Sequence, residues 1–159
     1  MNATTHYLKL FQGGPFMDEK LAFQMRHISK YLGRLKEVAK TPREDYLNNS
    51  ILQSATERYL QLCIESCINV GNRLISMLQV DQQFEAPKTY ADVFRELEKH
   101  RVTLDLEPAM IEITKFRNRL VHVYWDISPE VVYNIIQNRL KDINWYLKQI
   151  ALYVTENKL

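Results

Sequence analysis

The sequence predicts an all-α fold, an up-and-down helical bundle of three long and two shorter helices, and two observations carry that prediction. Apolar residues recur at alternating steps of three and four through most of the chain, and no stretch alternates with period two for long enough to propose a sheet. The only β-like run is Val121 to Ile127.

The first helix begins near Met17. Leu21, Met25, Ile28, Leu32, Leu35 and Ala39 share one face, and Pro42 stops it. Asp45 or Asn49 begins the second, in which Leu52, Ala55, Tyr59, Leu62, Ser66, Val70, Leu74 and Met77 or Leu78 keep the spacing for about eight turns. Gly71 weakens this helix only modestly. Asp81 to Lys88 is polar and holds Pro87, so it reads as a loop, after which Thr89 caps a short helix with Tyr90, Val93, Phe94 and Leu97 inward. A second polar connection leads to Pro108, which suits the first turn of a helix whose stripe is Ala109, Ile113, Phe116 and Leu120. Ser128-Pro129-Glu130 supplies a capping hydroxyl, a proline at the first helical position and an acid near the positive helix end. The last helix, started there, buries Val132, Ile136, Leu140, Ile143, Leu147, Ile150 and Val154. The seams of the first and last helices are nearly heptad, which suits coiled-coil-like packing and a self-association face.

A chain of 159 residues, 46% hydrophobic and 25% charged, suits one globular domain. That domain is expected over residues 17–159, with residues 1–16 as a leader outside it, because Gly13, Gly14 and Pro15 cluster just before a second methionine. Twenty-one Lys and Arg against nineteen Asp and Glu leave a net charge of +2, which neither marks nor excludes a nucleic-acid-binding protein. Cys63 and Cys67 lie four apart in an apolar segment, with no further cysteine to complete a disulfide framework or a four-ligand zinc site, and read as reduced core residues. The longest apolar stretch, Leu60 to Val80, is interrupted by Glu65 and Arg73, too polar for a spanning helix. With no signal peptide of the usual form, the expected location is the cytoplasm, without membrane association.

Four glycines are too few for a phosphate-cradling loop, and no Walker pattern, GxGxxG, His-Glu-x-x-His or carboxylate cluster occurs. No cofactor or metal is therefore expected. Of four histidines, His6 lies in the leader and His27 and His100 sit among charged neighbours on expected solvent faces. His122 has company: Arg117-Asn118-Arg119-Leu120-Val121-His122-Val123-Tyr124. Arg117 and His122, five residues apart, point about 140° apart on an ideal helix. They converge only if the helix bends or ends near Val121, or if a second subunit contributes its copies.

The pair suits a phosphodiester. Arginine offers a permanently charged planar fork to phosphate oxygens, and histidine exchanges a proton near neutral pH. RNA carries its own nucleophile, the 2′-hydroxyl, so removing that proton and stabilising the crowded phosphate requires no metal. Spacing alone also fits a plainer reading, in which the two cations stabilise a helix C-terminus and Tyr124 and Trp125 are packing aromatics.

At these residues the sequence resembles the HepT-like toxins of the HEPN (higher eukaryotes and prokaryotes nucleotide-binding) superfamily. That family carries an arginine, four intervening residues, a histidine, one residue and a tyrosine, matched here by Arg117, His122 and Tyr124, with a polar Asn118 after the arginine. The resemblance extends from about Met17 to the C-terminus. It takes in Glu57 to Ile68, similar to the family's second helix, and Pro87 to Phe94, similar to the opening of its third. It implies a homodimer whose RNA-cleaving centre forms between two copies of the motif, acting without metal and leaving cyclic phosphate ends. In that centre Arg117 binds the scissile phosphate, His122 handles the proton and Asn118 positions one of them. The resemblance also implies a cognate minimal nucleotidyltransferase antitoxin that attaches AMP groups to Tyr124. The alternative is a non-catalytic helical module that binds a nucleotide or docks such a nucleotidyltransferase.

Overall fold

Asp18 starts the first helix by accepting the Leu21 N–H on its carboxylate at 2.8 Å. In the computed structural model, which describes residues 18–122 and 127–159, this helix, α1, runs Glu19–Val38. It is followed by α2 (Arg43–Leu47), α3 (Ser50–Gln82), α4 (Tyr90–Lys99), α5 (Glu107–His122), α6 (Pro129–Asn138) and α7 (Leu140–Glu156). No strand occurs among the described residues, and the all-α bundle is as expected. The leader expected over residues 1–16 lies outside the described residues, as do residues 123–126 of the β-like run.

The expected stripe of α1 is fully buried from Leu21 through Leu35, whereas Ala39 falls at the C-cap. Each such side chain contributes about 1.5–3 kcal/mol by leaving water. α1 lies along α3, its main packing partner, and also meets α7. Its near-heptad seam is therefore used inside the protomer rather than offered for self-association.

Of the two expected starts of the second long helix, Asn49 is the one used, capping α3 by accepting the Leu52 N–H at 2.9 Å; Asp45 instead sits in the unexpected short α2, which buries Tyr46 completely. The inner face of α3 is carried by Leu60, Cys63, Ile64, Cys67, Leu74 and Leu78; Leu52, Ala55, Tyr59 and Leu62 are half-buried instead. α3 packs against α1, α2, α4, α5 and α6, so it is buried on several sides and no single stripe describes it. Both cysteines are free and buried, and burial raises the Cys67 thiol well above its ordinary value.

The expected last helix is divided in two. Ser128 caps α6 and Pro129 opens it, but the helix closes at Arg139. There the Asn138 amide donates to the Asn134 carbonyl at 2.9 Å, and the Asp142 N–H bonds the Arg139 carbonyl in a tighter three-residue step. The buried seam passes through the break unbroken, from Val132 and Ile136 to Leu140, Ile143, Leu147, Ile150 and Val154. Apolar spacing alone cannot reveal such a break, because the buried phase continues across it.

Candidate functional site

α5 carries the arginine–histidine motif, and its neighbours fix it at both its start and its flank. Its first amides, Leu106 N–H and Glu107 N–H, donate to Glu98 of α4 at 3.0 and 2.8 Å, satisfying donors that a helix start leaves open. Met110, Ile113, Phe116 and Leu120 are buried against α3, α4 and α7. Ala109, expected in that stripe, is half-buried, and Met110 takes its place.

Arg117 is held across the bundle. Its Nη2 donates to Glu65 Oε1 of α3 at 2.5 Å, and its Nη1 donates to Asn118 Oδ1 at 3.4 Å. The guanidinium carbon lies 5.5 Å from the centre of the Tyr90 ring. Its side chain is only 13% exposed, its Nε is buried without a partner, and Gln61 Nε2 adds a bond to the same Glu65 oxygen at 3.1 Å. The fork is thus oriented and partly desolvated, with further N–H groups beyond those given to Glu65 and Asn118.

His122 is exposed and is the last helical residue of α5 in the described chain. The helix keeps its form through Val121 and His122, so within the described residues no bend or end ahead of the histidine brings it back to Arg117, and the second-subunit route to convergence is left. Within one protomer, Arg117 faces Glu65 and Tyr90, while helical geometry turns His122 about 140° away. Asn118, one turn before His122, lies on the histidine's side of the helix and bonds the arginine. Tyr124 lies outside the described residues.

Glu65 and Tyr90 were not anticipated as site residues. Tyr90, expected inward, is 43% exposed and lies beneath Arg117. The signal for Glu65 was available, since it breaks the apolar stretch Leu60 to Val80; the other interruption, Arg73, pairs with Asp18 at 2.6 Å. His27 is half-buried between Phe23, to which its ring is tilted, and Tyr31, which it meets edge-on, whereas His100 departs from its expected solvent face, lying 3.8 Å centroid to centroid on Phe84 while bonding Glu96. Lys115 and Arg119 are exposed.

Two cavities meet at this place. One of about 260 Å³ is bounded by Glu65, Asn69 and Arg117, and a larger one of about 600 Å³ lies between α5 and the segment Pro87–Ala91. Asn72 and Tyr90 belong to both. Among the described residues, no group of three or more His, Cys, Asp or Glu side chains is arranged to hold a metal ion, and no helix is long and apolar enough to cross a membrane.

An all-α bundle that presents an oriented arginine and an exposed histidine on one helix, beside a cleft, is an architecture suited to handling phosphodiesters. The family model Ribonuclease HepT-like matches residues 28–150, and the chain belongs to that family; its activity is that of a ribonuclease. It is 33% identical over 128 residues to the tRNA nuclease HepT of Aphanizomenon flos-aquae, covering 80% of this chain and 84% of that protein. It is 27% identical over 100 residues to the mRNA nuclease HepT of Shewanella oneidensis, covering 62% of this chain and 72% of that one. Its fold matches the tri-AMPylated Shewanella oneidensis HEPN toxin solved in complex with MNT antitoxin, with a TM-score of 0.74, 22% identity and coverage of 84% of this chain and 98% of that one.

Proposed function

We propose that this ribonuclease is the toxin of a toxin–antitoxin pair, a cytoplasmic protein that cleaves RNA without a metal through Arg117 and His122 at a homodimer interface. The observation that carries the reading is the fixed Arg117 fork, held by Glu65 and Asn118 on the helix that ends in an exposed His122. His122 accepts the proton of the RNA 2′-hydroxyl as the 2′-oxygen bonds phosphorus. The bond from phosphorus to the 5′-oxygen then breaks, leaving a cyclic phosphate and a 5′-hydroxyl. Arg117 stabilises the charge gathering on the phosphate oxygens. The departing 5′-oxygen needs a proton, and one histidine cannot conveniently be base and acid in a single pass. A twofold axis supplies the partner subunit's second copy of the motif, which also answers the 140° divergence of the two side chains.

Neutralisation is assigned to a minimal nucleotidyltransferase antitoxin that transfers AMP to Tyr124. The tri-AMPylated Shewanella oneidensis toxin in complex with MNT antitoxin supports this assignment. Bulky anionic groups on Tyr124, two residues from His122 in sequence, compete with RNA phosphate for the same cations and space.

Purified protein is expected to cleave RNA in EDTA, and His122→Ala and Arg117→Ala each to abolish cleavage while the helical circular-dichroism signal persists. Cleavage retained by His122→Ala would overturn the assignment. An intact dimer that binds RNA or the nucleotidyltransferase and never cuts would establish the binding-module alternative. After co-expression with the nucleotidyltransferase, mass spectrometry should place AMP on Tyr124; neutralised protein bearing none would show inhibition by binding alone.

A further inference from the structure

The larger cavity has a charge pattern that the protein as a whole lacks. The chain's net charge is only +2, yet this cavity is lined by Lys88, Arg95 and Lys115 and by no carboxylate. Of the three, Arg95 is engaged by Asp92 at 2.9 Å and by Glu107 at 3.7 Å, leaving Lys88 and Lys115 as the principal charges for a ligand. The Lys115 pair with Glu112 is exposed on both sides and weakly held. Beside these cations stands the exposed Tyr90 ring, and Asn72 and Asn118 offer amide groups. Two lysines, a tyrosine face and two amides complement a nucleotide: phosphate, base face and base edge in turn.

Helical geometry ties this cavity to the motif. On α5 the wall residues Ile111, Thr114, Lys115 and Asn118 share one side of the helix, and His122 continues it one turn beyond Asn118. All five fall within an arc of about 100°, and the rise from Asn118 to His122 is about 6 Å. At its other end the cavity shares Asn72 and Tyr90 with the smaller one beside Arg117. A strand whose scissile phosphate lies at His122 therefore continues into the cationic cavity along one face of α5.

Resting on the ribonuclease reading above, we infer that the cavity between Pro87–Ala91 and α5 is a subsite for the RNA nucleotide flanking the scissile phosphate, with its base on Tyr90 and its phosphate between Lys88 and Lys115. The subsite fixes the strand's register relative to His122 and is a source of cut-site preference.

The test uses the full-length protein and a short labelled single-stranded RNA. In the His122→Ala background, the double variant Lys88→Ala/Lys115→Ala should bind RNA about tenfold more weakly. Its dependence of log Kd on log salt should be shallower by about 1.4, two phosphate contacts at about 0.7 each for a single strand. With His122 intact, KM for RNA should rise about tenfold with a smaller change in kcat, and the distribution of cut sites should broaden. Lys88→Arg/Lys115→Arg should restore both. Both lysines are exposed, and circular dichroism verifies that the variants fold. If wild type cleaves RNA while the double variant keeps its KM, salt slope and cut sites, the subsite is overturned and the ribonuclease reading stands. If wild type neither cleaves nor binds RNA, both fall. A titration with free AMP separates the remaining source of the same chemistry: lysine-dependent AMP binding with lysine-independent RNA binding would assign the cavity to a mononucleotide and overturn the RNA subsite.

Discussion

Glu65 of α3 and Arg117 of α5, 52 residues apart in sequence, form an ion pair at 2.5 Å in which the arginine side chain is only 13% exposed. Removing one member of such a pair leaves the other charge without compensation, at a cost set more by the orphaned group than by the pair's net attraction. Glu65 is itself 29% exposed, so water recovers part of that cost. Glu65→Ala is expected to lose about 1–3 kcal/mol of stability in urea denaturation. Glu65→Ala/Arg117→Ala should lose less than the two single variants combined. RNA cleavage should fall in the order wild type, Glu65→Gln, Glu65→Ala, because the glutamine still accepts from the fork but no longer holds it by charge. Wild-type cleavage by Glu65→Ala would show that the pair does not orient the arginine.

Gly71 makes close packing possible at the centre of the bundle. A methyl group there would come within 2.3 Å of Val93 Cγ1, 3.2 Å of Leu97 Cδ1 and 3.4 Å of the Tyr146 hydroxyl. Val93 and Leu97 are buried, and the β-branched valine has little freedom to turn away. Alanine's helix propensity favours the substitution by about 1 kcal/mol, whereas overpacking a core typically costs about 1–3 kcal/mol. Gly71→Ala is accordingly expected to lower the urea midpoint, and adding Val93→Ala should recover the part due to the clash. A Gly71→Ala protein more stable than wild type would mean that α3 and α4 separate at little cost.

The Arg73 guanidinium, bonded to Asp18 at 3.0 and 2.6 Å, holds the Asp18 carboxyl below the usual carboxylate range. Burial opposes that shift and the Leu21 N–H adds to it. A carboxyl whose folded value is depressed stabilises the fold fully above its unfolded value, and that contribution disappears as pH falls through the folded one. Asp18→Asn keeps a capping oxygen for α1 and loses the ion pair. It should be less stable than wild type by up to about 1 kcal/mol at pH 7, with the gap closing below about pH 4. A gap that is independent of pH would assign the effect to the cap rather than to the pair.

Much of this architecture is legible in the residues. Asn49, Thr89 and Ser128 cap helices at sequence-local sites, and the stripe from Leu21 to Leu35 needs only helical periodicity. Legibility fails where partners are distant. The inner face of α3 depends on helices packed around it, the break at Arg139 preserves apolar phase, and the hold on Arg117 depends on Glu65 and Tyr90 from two other elements. Glu65 and Arg73 are instructive because charges inside an apolar run proved to be cross-helix pairs, an assignment that spacing could flag but not complete.

Glu96 is the anchor of the segment that brings Lys88 and Tyr90 to the cleft. It is 7% exposed, and its carboxylate accepts the Glu85 N–H at 2.7 Å and meets His100 Nε2 at 3.0 Å, while Phe84 stacks on the His100 ring. Deleting the carboxylate leaves a partly buried amide without its acceptor and frees His100 from one side of the stack, at a cost of about 1–3 kcal/mol. Glu96→Ala should therefore speed hydrogen exchange at Glu85 and across residues 83–89 while leaving α1 and α7 protected. Because the lysine and tyrosine then lose their fixed placement, KM for RNA should rise more than kcat falls, and Glu96→Gln, which keeps one acceptor oxygen, should lie between. Unchanged exchange at Glu85 in the alanine variant would show that Phe84 packing, the Lys99–Glu85 pair and the Thr89–Asp92 cap hold the segment without Glu96.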